Sequence, residues 1–133
     1  MFEQHLAKLQ APIQGLARIV VGLLFFSHGA QKLFGWFGAE GTVELFSRMG
    51  VAGVLEFFGG AMIMLGLFTR PVAFILSGQM AVAYFWIHQP RGLFPWDNGG
   101  ELAALYSWVF LLFATIGSGC FALDSLLTRK NED

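Results

Sequence analysis

Five side chains that could bind a ligand or transfer a proton lie at or near the ends of long apolar stretches. They are His28, Lys32, Glu56, His88 and Glu101. Imidazole changes charge near neutral pH and carboxylates accept protons, so such a cluster could relay protons to a quinone. Histidine and carboxylate could also bind a divalent metal, and His28, Glu56 and His88 are the candidates for that. However, no HxxxH or ExxH spacing supports a metal site, and no residue is singled out as catalytic.

The composition indicates that these groups are set in a membrane protein. Of 133 residues, 56% are hydrophobic and only 13% are charged, whereas soluble domains carry about 25% charged residues. The net charge of −1 gives no basic surface for nucleic acid. Cys120 is the single cysteine, which excludes a disulfide within the chain and a CxxC motif.

Four apolar segments must position the polar groups. They cover approximately residues 11–33, 51–68, 71–88 and 101–123. Each has about 18 to 23 residues, the length that a helix needs to cross the hydrocarbon core of a bilayer. The segments are apolar nearly all round, unlike helices of soluble proteins. We therefore predict an all-α integral membrane protein with one domain over residues 1–133: a four-helix up-down bundle with both termini on the same side.

Small residues predict where these helices meet. Gly15, Gly22 and Gly29 recur at heptad spacing on the first segment and fall on one stripe of a helix. Close approach at small residues is a major source of helix association in lipid. We expect further contacts at glycines of the second segment and at small residues of the fourth. A short interfacial helix is predicted around VELFSRM, in the connection between the first two segments.

The up-down topology brings the ionisable groups to one end of the bundle, the end formed by the loops 34–50 and 89–100. His28 and Lys32 end the first helix there, His88 ends the third and Glu101 begins the fourth. Glu56 lies about 8 Å inside the second helix, counted at 1.5 Å per residue. An ionisable residue within a membrane is a candidate functional residue by default, and Lys32 or His28 could keep Glu56 charged.

Each of these residues also has a structural interpretation. Glu101 is expected to cap the fourth helix together with Asn98 at the N-cap, and Lys32 could extend to the lipid headgroups. His88 could be an interfacial residue beside Trp86. Glu56 could pair with a cation only to set the register of the bundle.

Several other polar and aromatic residues are assigned structural roles. Arg18 is expected to tether backbone carbonyls or Gln79, and Arg70 lies in a tight turn between helices. Trp36, Trp86 and Trp96 are expected in the aromatic belt at the membrane interface, the alternative being ring stacking on a bound quinone. Basic residues are more numerous on the side of the termini than on the loop side, which predicts cytoplasmic termini. The side of the termini has Lys8, Arg18, Arg70, Arg129 and Lys130, and the loop side has Lys32, Arg48 and Arg91.

Three stretches resemble the DoxX family of small bacterial membrane proteins. They are HGAQKLFG, EFFGGAMIMLGLFTRPVA and NGGELAALYSWVFLLFATIGSGCFALD. The resemblance implies a four-helix protein of the bacterial inner membrane. One branch of the family is named for a subunit of a thiosulfate:quinone oxidoreductase, and others accompany redox or stress enzymes. The family often has Gly-Pro-Gly in the fourth helix, where this chain has Gly117-Ser118-Gly119, a change expected to straighten that helix.

Three functions remain open at this point. The first is a membrane subunit of a redox system that binds quinone at the loop side; a lone thiol cannot cycle as a dithiol, so any electron carrier must be bound. The second is a non-catalytic anchor or assembly partner of a redox or stress enzyme. The third is a small transporter, for which four helices would need a homo-oligomer to form a pore.

Overall fold

The computed structural model describes residues 1–131, and regular structure in this range is entirely helical. The helix Thr69–Ala83 continues as a π-helical turn over Tyr84–His88 and a 3-10 turn over Gln89–Arg91. The α-helices are α1 Phe2–Lys8, α2 Gln10–Phe34, α3 Arg48–Leu65, α4 Thr69–Ala83, α5 Pro95–Asn98, α6 Glu101–Ile116 and α7 Leu123–Lys130.

Three continuous helical stretches are long and apolar enough to cross a bilayer: Gln10–Phe34, Arg48–Leu65 and Thr69–Arg91. They correspond to the first three predicted segments. The second predicted helix is α3. It begins at Arg48, earlier than predicted, because the Ser47 side chain caps it by accepting a hydrogen bond from the Gly50 amide at 3.0 Å. It ends at Leu65 because Gly66 adopts a left-handed conformation with φ of 67°.

The fourth predicted helix is shorter than the sequence suggested. It ends at Ile116 and not at residue 123, so α6 has 16 residues. Gly117 has φ of 85° and Gly119 has φ of 67°, conformations that glycine adopts readily and that end the helix. The expectation that the Gly-Ser-Gly sequence straightens this helix was wrong, because glycine interrupts it without a proline.

A non-helical turn, residues 117–122, connects α6 to α7 and packs against the start of α2. The Cys120 amide donates a hydrogen bond to the Ala11 carbonyl at 3.1 Å. At Gly15, a Cβ atom would collide with the Cys120 carbonyl. Ser118 and Ala122 are two of the small residues of the fourth segment at which we expected helix contacts. They belong to this turn instead. The interfacial helix predicted around VELFSRM is also absent in the described chain, since residues 43–47 are not helical.

The glycine stripe of α2 lies at close backbone contacts, of which Gly22 and Gly29 form those with α3. A Cβ atom on Gly22 would lie 2.5 Å from the Met64 amide nitrogen, and one on Gly29 would overlap the Phe57 backbone. On the other side of the molecule, α4 contacts α6 through Ser77 and Ser107, each of which donates to the other's carbonyl, at 2.7 and 2.9 Å. The core between these helix pairs contains Phe25, Ile63, Leu76, Tyr106, Phe110 and Phe113.

Candidate functional site

A buried ion pair joins α2 to α3. The Lys32 ammonium lies 2.6 Å from Oε1 and 2.7 Å from Oε2 of Glu56. Only 4% of the Glu56 side chain is exposed, against 23% of Lys32. The carboxylate is therefore enclosed, while the Lys32 side chain is partly exposed. The structure thus provides the cation that the sequence required for Glu56.

Two further polar groups approach the same carboxylate. Gln79 Nε2 on α4 lies 3.4 Å from Glu56 Oε1 and 3.5 Å from the Ala52 carbonyl. His28 lies within electrostatic range of Glu56. We call Lys32, Glu56, Gln79 and His28 the polar cluster. The sequence suggests Gln79 as a partner of Arg18, but the structure brings it to Glu56, because Glu56 and Gln79 face each other across the contact between α3 and α4.

Tyr106 is a neighbour of the polar cluster that sequence analysis missed. Its ring meets the His28 ring edge-on at 6.2 Å between centroids, and it lies within electrostatic range of Glu56. Tyr106 is 8% exposed in the middle of α6. Its signal in the sequence was a phenol hydroxyl inside a mostly apolar segment, and nothing indicated that it would face His28.

His88 and Glu101 make no hydrogen bond or ion pair with the polar cluster among the described residues. His88 packs against Gly100, and its Nδ1 is buried without a hydrogen-bond partner in residues 1–131. Glu101 is exposed. The N-cap of α6 is Gly100 and not Asn98. Asn98 instead holds the turn, because its Oδ1 accepts from the Gly100 amide at 2.8 Å.

The arrangement of acidic and histidine residues does not form a metal-binding set. Across residues 1–131, no three His, Cys, Asp or Glu side chains are grouped closely enough to hold a metal ion. His28 lies within electrostatic range of Glu56, but among residues 1–131 no hydrogen bond or ion pair joins His88 to either residue. What the polar cluster offers is hydrogen-bond donors and acceptors enclosed in apolar helices.

The three tryptophans considered for ring stacking pack against other partners. Trp36 lies 4.9 Å from the Phe34 ring, and the Arg48 guanidinium lies 5.5 Å from the centre of Trp86. Trp96 stacks on a neighbouring phenylalanine of the loop. All three are at least half exposed. These positions agree with residues of a membrane interface more closely than with the walls of an enclosed site.

Arg18 forms a second buried polar centre, near the ends of α3 and α6. Its guanidinium, with 0% exposure, donates five hydrogen bonds of 2.7 to 3.0 Å to backbone carbonyls. The acceptors are Ile63, Met64, Ser118, Cys120 and Phe121. The predicted tether to backbone carbonyls is thus confirmed, and Gln79 is not part of it. Arg70 similarly bonds the Ala114 and Thr115 carbonyls at the end of α6.

Long apolar helices joined at glycines, with charged groups paired inside, define the class of protein: a helical integral membrane protein. The family model of DoxX matches residues 13–89. This chain belongs to the DoxX family.

Curated relatives cover nearly the whole chain. An uncharacterized protein of Haemophilus influenzae is 43% identical over 95% of this chain and 98% of its own length. The inner membrane protein YqjF of Escherichia coli K12 is 32% identical over 86% of this chain and 92% of its own length. No solved structure matches the chain. The family, the apolar helices and the second relative support the bacterial inner membrane as its location.

Proposed function

We propose that this protein is a membrane subunit of a quinone-linked redox system and that the polar cluster receives the head group of the quinone. The observation that carries the proposal is the buried Lys32–Glu56 pair, with Gln79 and His28 beside it. A charged pair inside a bilayer is costly and is characteristically found at functional positions.

The polar cluster has the groups that quinone chemistry requires. Reduction of a quinone to a quinol takes up two electrons and two protons. Lys32 would donate a hydrogen bond to a quinone carbonyl oxygen. The Glu56 carboxylate and the His28 imidazole would each take up a proton from water at the membrane surface and pass it to a quinone oxygen, which accounts for both protons of the quinol. The electrons would come from a redox partner protein, because the single cysteine cannot act as a dithiol donor.

We further propose that α2, α3, α4 and α6 cross the membrane as an up-down bundle with cytoplasmic termini. Basic residues near both ends of the chain, Lys8, Arg129 and Lys130, support this orientation. The 16 residues of α6 span about 24 Å, slightly less than the hydrocarbon core. Reporter fusions at the C-terminus and after Gly38 should report opposite sides of the membrane, and the same side for both would refute this topology.

Binding of quinone to the purified protein tests the redox function. The protein is extracted in a mild detergent, its lipid extract is analysed for quinones by mass spectrometry, and binding of a short-chain ubiquinone analogue is titrated. We expect Glu56→Gln to lower the affinity by at least tenfold. Glu101→Gln is the matched control, since it removes an exposed carboxylate and should have no effect. Absence of quinone from the extract together with no binding of the analogue would refute the proposal.

A second candidate function is a non-catalytic anchor for another enzyme. It is favoured by large apolar residues exposed in the loops, among them Phe46 (92% exposed), Leu93 (72%) and Trp96 (71%). If the protein is an anchor, the His28→Ala and Glu56→Ala pair should leave the activity of a co-purifying enzyme unchanged at matched expression. Loss of that activity with the partner still bound would exclude the anchor.

A further inference from the structure

A groove of about 530 Å³ lies at the end of the molecule opposite the loops 34–50 and 89–100. Its walls are the start of α4, the end of α6 with the turn that follows it, and α7. It is separate from the polar cluster. Its lining is rich in groups that can donate hydrogen bonds, including Thr69, Arg70, Ser118, Ser125 and Thr128. The groove is open to the surface, so a ligand can reach its exposed groups, which are Arg70, Ser125 and Thr128.

Arg70 contributes a positive charge with free donors to this groove. Its Nη1 bonds the Ala114 and Thr115 carbonyls, which holds the guanidinium in place. Within the described part of the chain, Nε and Nη2 have no acceptor, and both lie beside Gly117. A guanidinium fixed on one side with donors left on the other is suited to binding the oxygens of a phosphate.

Thr69 adds a second polar group that lacks a partner. It is 1% exposed and lines the groove, and its Oγ1 has no hydrogen-bond partner among residues 1–131. A buried hydroxyl without a partner is unfavourable, so a ligand oxygen at this position would complete its hydrogen bonding.

Among residues 1–131, the one carboxylate that lines the groove is Asp124, and it is already compensated. Asp124 Oδ1 accepts from the Phe68 amide at 2.7 Å, and Oδ2 accepts from the Thr69 amide at 3.0 Å. Its charge is therefore directed at the start of α4. The free donors of Arg70 remain available to an anion.

The position of the groove relative to the apolar helices indicates which kind of anion can bind there. It lies where α4 begins and α6 ends, and the ends of membrane-spanning helices lie at the level of the lipid headgroups. Phe68 and Ile116, which border the groove, are 55% and 40% exposed and can contact acyl chains. The adjacent α7 exposes leucines along one side and ends in Arg129 and Lys130, as interfacial helices do.

We propose that this groove binds the phosphate of an anionic phospholipid, with Arg70 and Thr69 as its ligands. The proposal is independent of the quinone function and requires only that the ends of α4 and α6 lie at the membrane surface. Phosphatidylcholine carries the same phosphate beside a cationic choline, which would oppose Arg70, so an anionic lipid is favoured.

Native mass spectrometry of the purified protein with added phosphatidylglycerol or phosphatidylcholine tests the proposal. We expect preferential retention of phosphatidylglycerol, and Arg70→Gln should weaken it on the order of tenfold, the effect of losing a charged hydrogen-bond pair. Arg129→Gln is the matched control, because it removes a basic residue on the same side that does not line the groove. Equal weakening by both variants would show general charge attraction and would overturn the site.

A second variant separates binding from folding, since Arg70 also holds the end of α6. Thr128→Phe fills the groove from the exposed face of α7 and leaves every charge in place; it should also weaken phosphatidylglycerol binding. Unchanged binding by this variant would overturn the proposal. Competition with inorganic phosphate distinguishes the sources of the anion: displacement of the lipid by millimolar phosphate would assign the groove to a free anion and overturn the lipid assignment.

Discussion

Loss of Lys32 and loss of Glu56 should lower the stability of the protein by different amounts. Removing one partner of a buried ion pair costs about 3 to 5 kcal/mol, because the other charge stays buried without compensation. In Lys32→Met, the enclosed Glu56 carboxylate would keep, within the described part of the chain, only Gln79 at 3.4 Å as a hydrogen-bond donor. We therefore expect Lys32→Met to lower the free energy of unfolding by about 3 kcal/mol.

The opposite change should be milder. In Glu56→Gln, the Lys32 side chain is already 23% exposed and can extend its ammonium to the headgroup region. We expect a loss of about 1 kcal/mol, comparable to one ordinary hydrogen bond. The double variant leaves no unpaired charge and should lose about 2 kcal/mol, which corresponds to a coupling of about 2 kcal/mol between the two residues.

Equilibrium unfolding measures these differences. The purified protein in mild detergent micelles is titrated with sodium dodecyl sulfate, and unfolding is followed by tryptophan fluorescence. Lys8→Met is the matched control, because Lys8 lies on α1 and is exposed; it should leave stability unchanged. Additive effects of the two single substitutions, or Glu56→Gln more harmful than Lys32→Met, would refute the reasoning from exposure.

Two further predictions concern the elements that position the site. Gly29→Leu should prevent stable folding, because its side chain would overlap the backbone of α3. Gly78→Leu should be tolerated because, in residues 1–131 and apart from the local backbone of its own helix, no atom lies within 4 Å of its Cβ position. The yield of monodisperse protein distinguishes the two variants, and equal yields would contradict the packing. Arg18→Lys should lower stability by about 2 kcal/mol, since one ammonium cannot replace five guanidinium hydrogen bonds. Hydrogen exchange of residues 117–122 should become faster in that variant, and unchanged protection there would show that the tether is unimportant.

The class of protein could be predicted from the sequence because the bilayer imposes a strong constraint. A chain segment in hydrocarbon must satisfy its backbone hydrogen bonds internally, so long apolar segments become helices. The glycine stripe of α2 was predictable for a similar reason, since helices in lipid approach most closely where side chains are smallest. The need of Glu56 for a cation followed from the cost of a buried charge.

The composition of the polar cluster depended on tertiary structure. Sequence position puts His28, Lys32, His88 and Glu101 near helix ends, but the rotation of each helix decides which side chains meet. Rotation brought Lys32 into contact with Glu56 and His28 into electrostatic range of it, and left Glu101 exposed. These rotations are set by many weak packing contacts between helices.

The end of α6 was likewise decided by contacts between distant parts of the chain. Residues 101–123 are apolar enough to continue as a helix, but Gly117 and Gly119 permit a turn that tertiary contacts then stabilise. Arg18 binds three carbonyls of that turn, and Cys120 packs against Gly15. The apolar pattern of the sequence determined that the chain enters the membrane as helices. Only long-range hydrogen bonds and backbone contacts determined where the last apolar helix ends and which polar groups share a site.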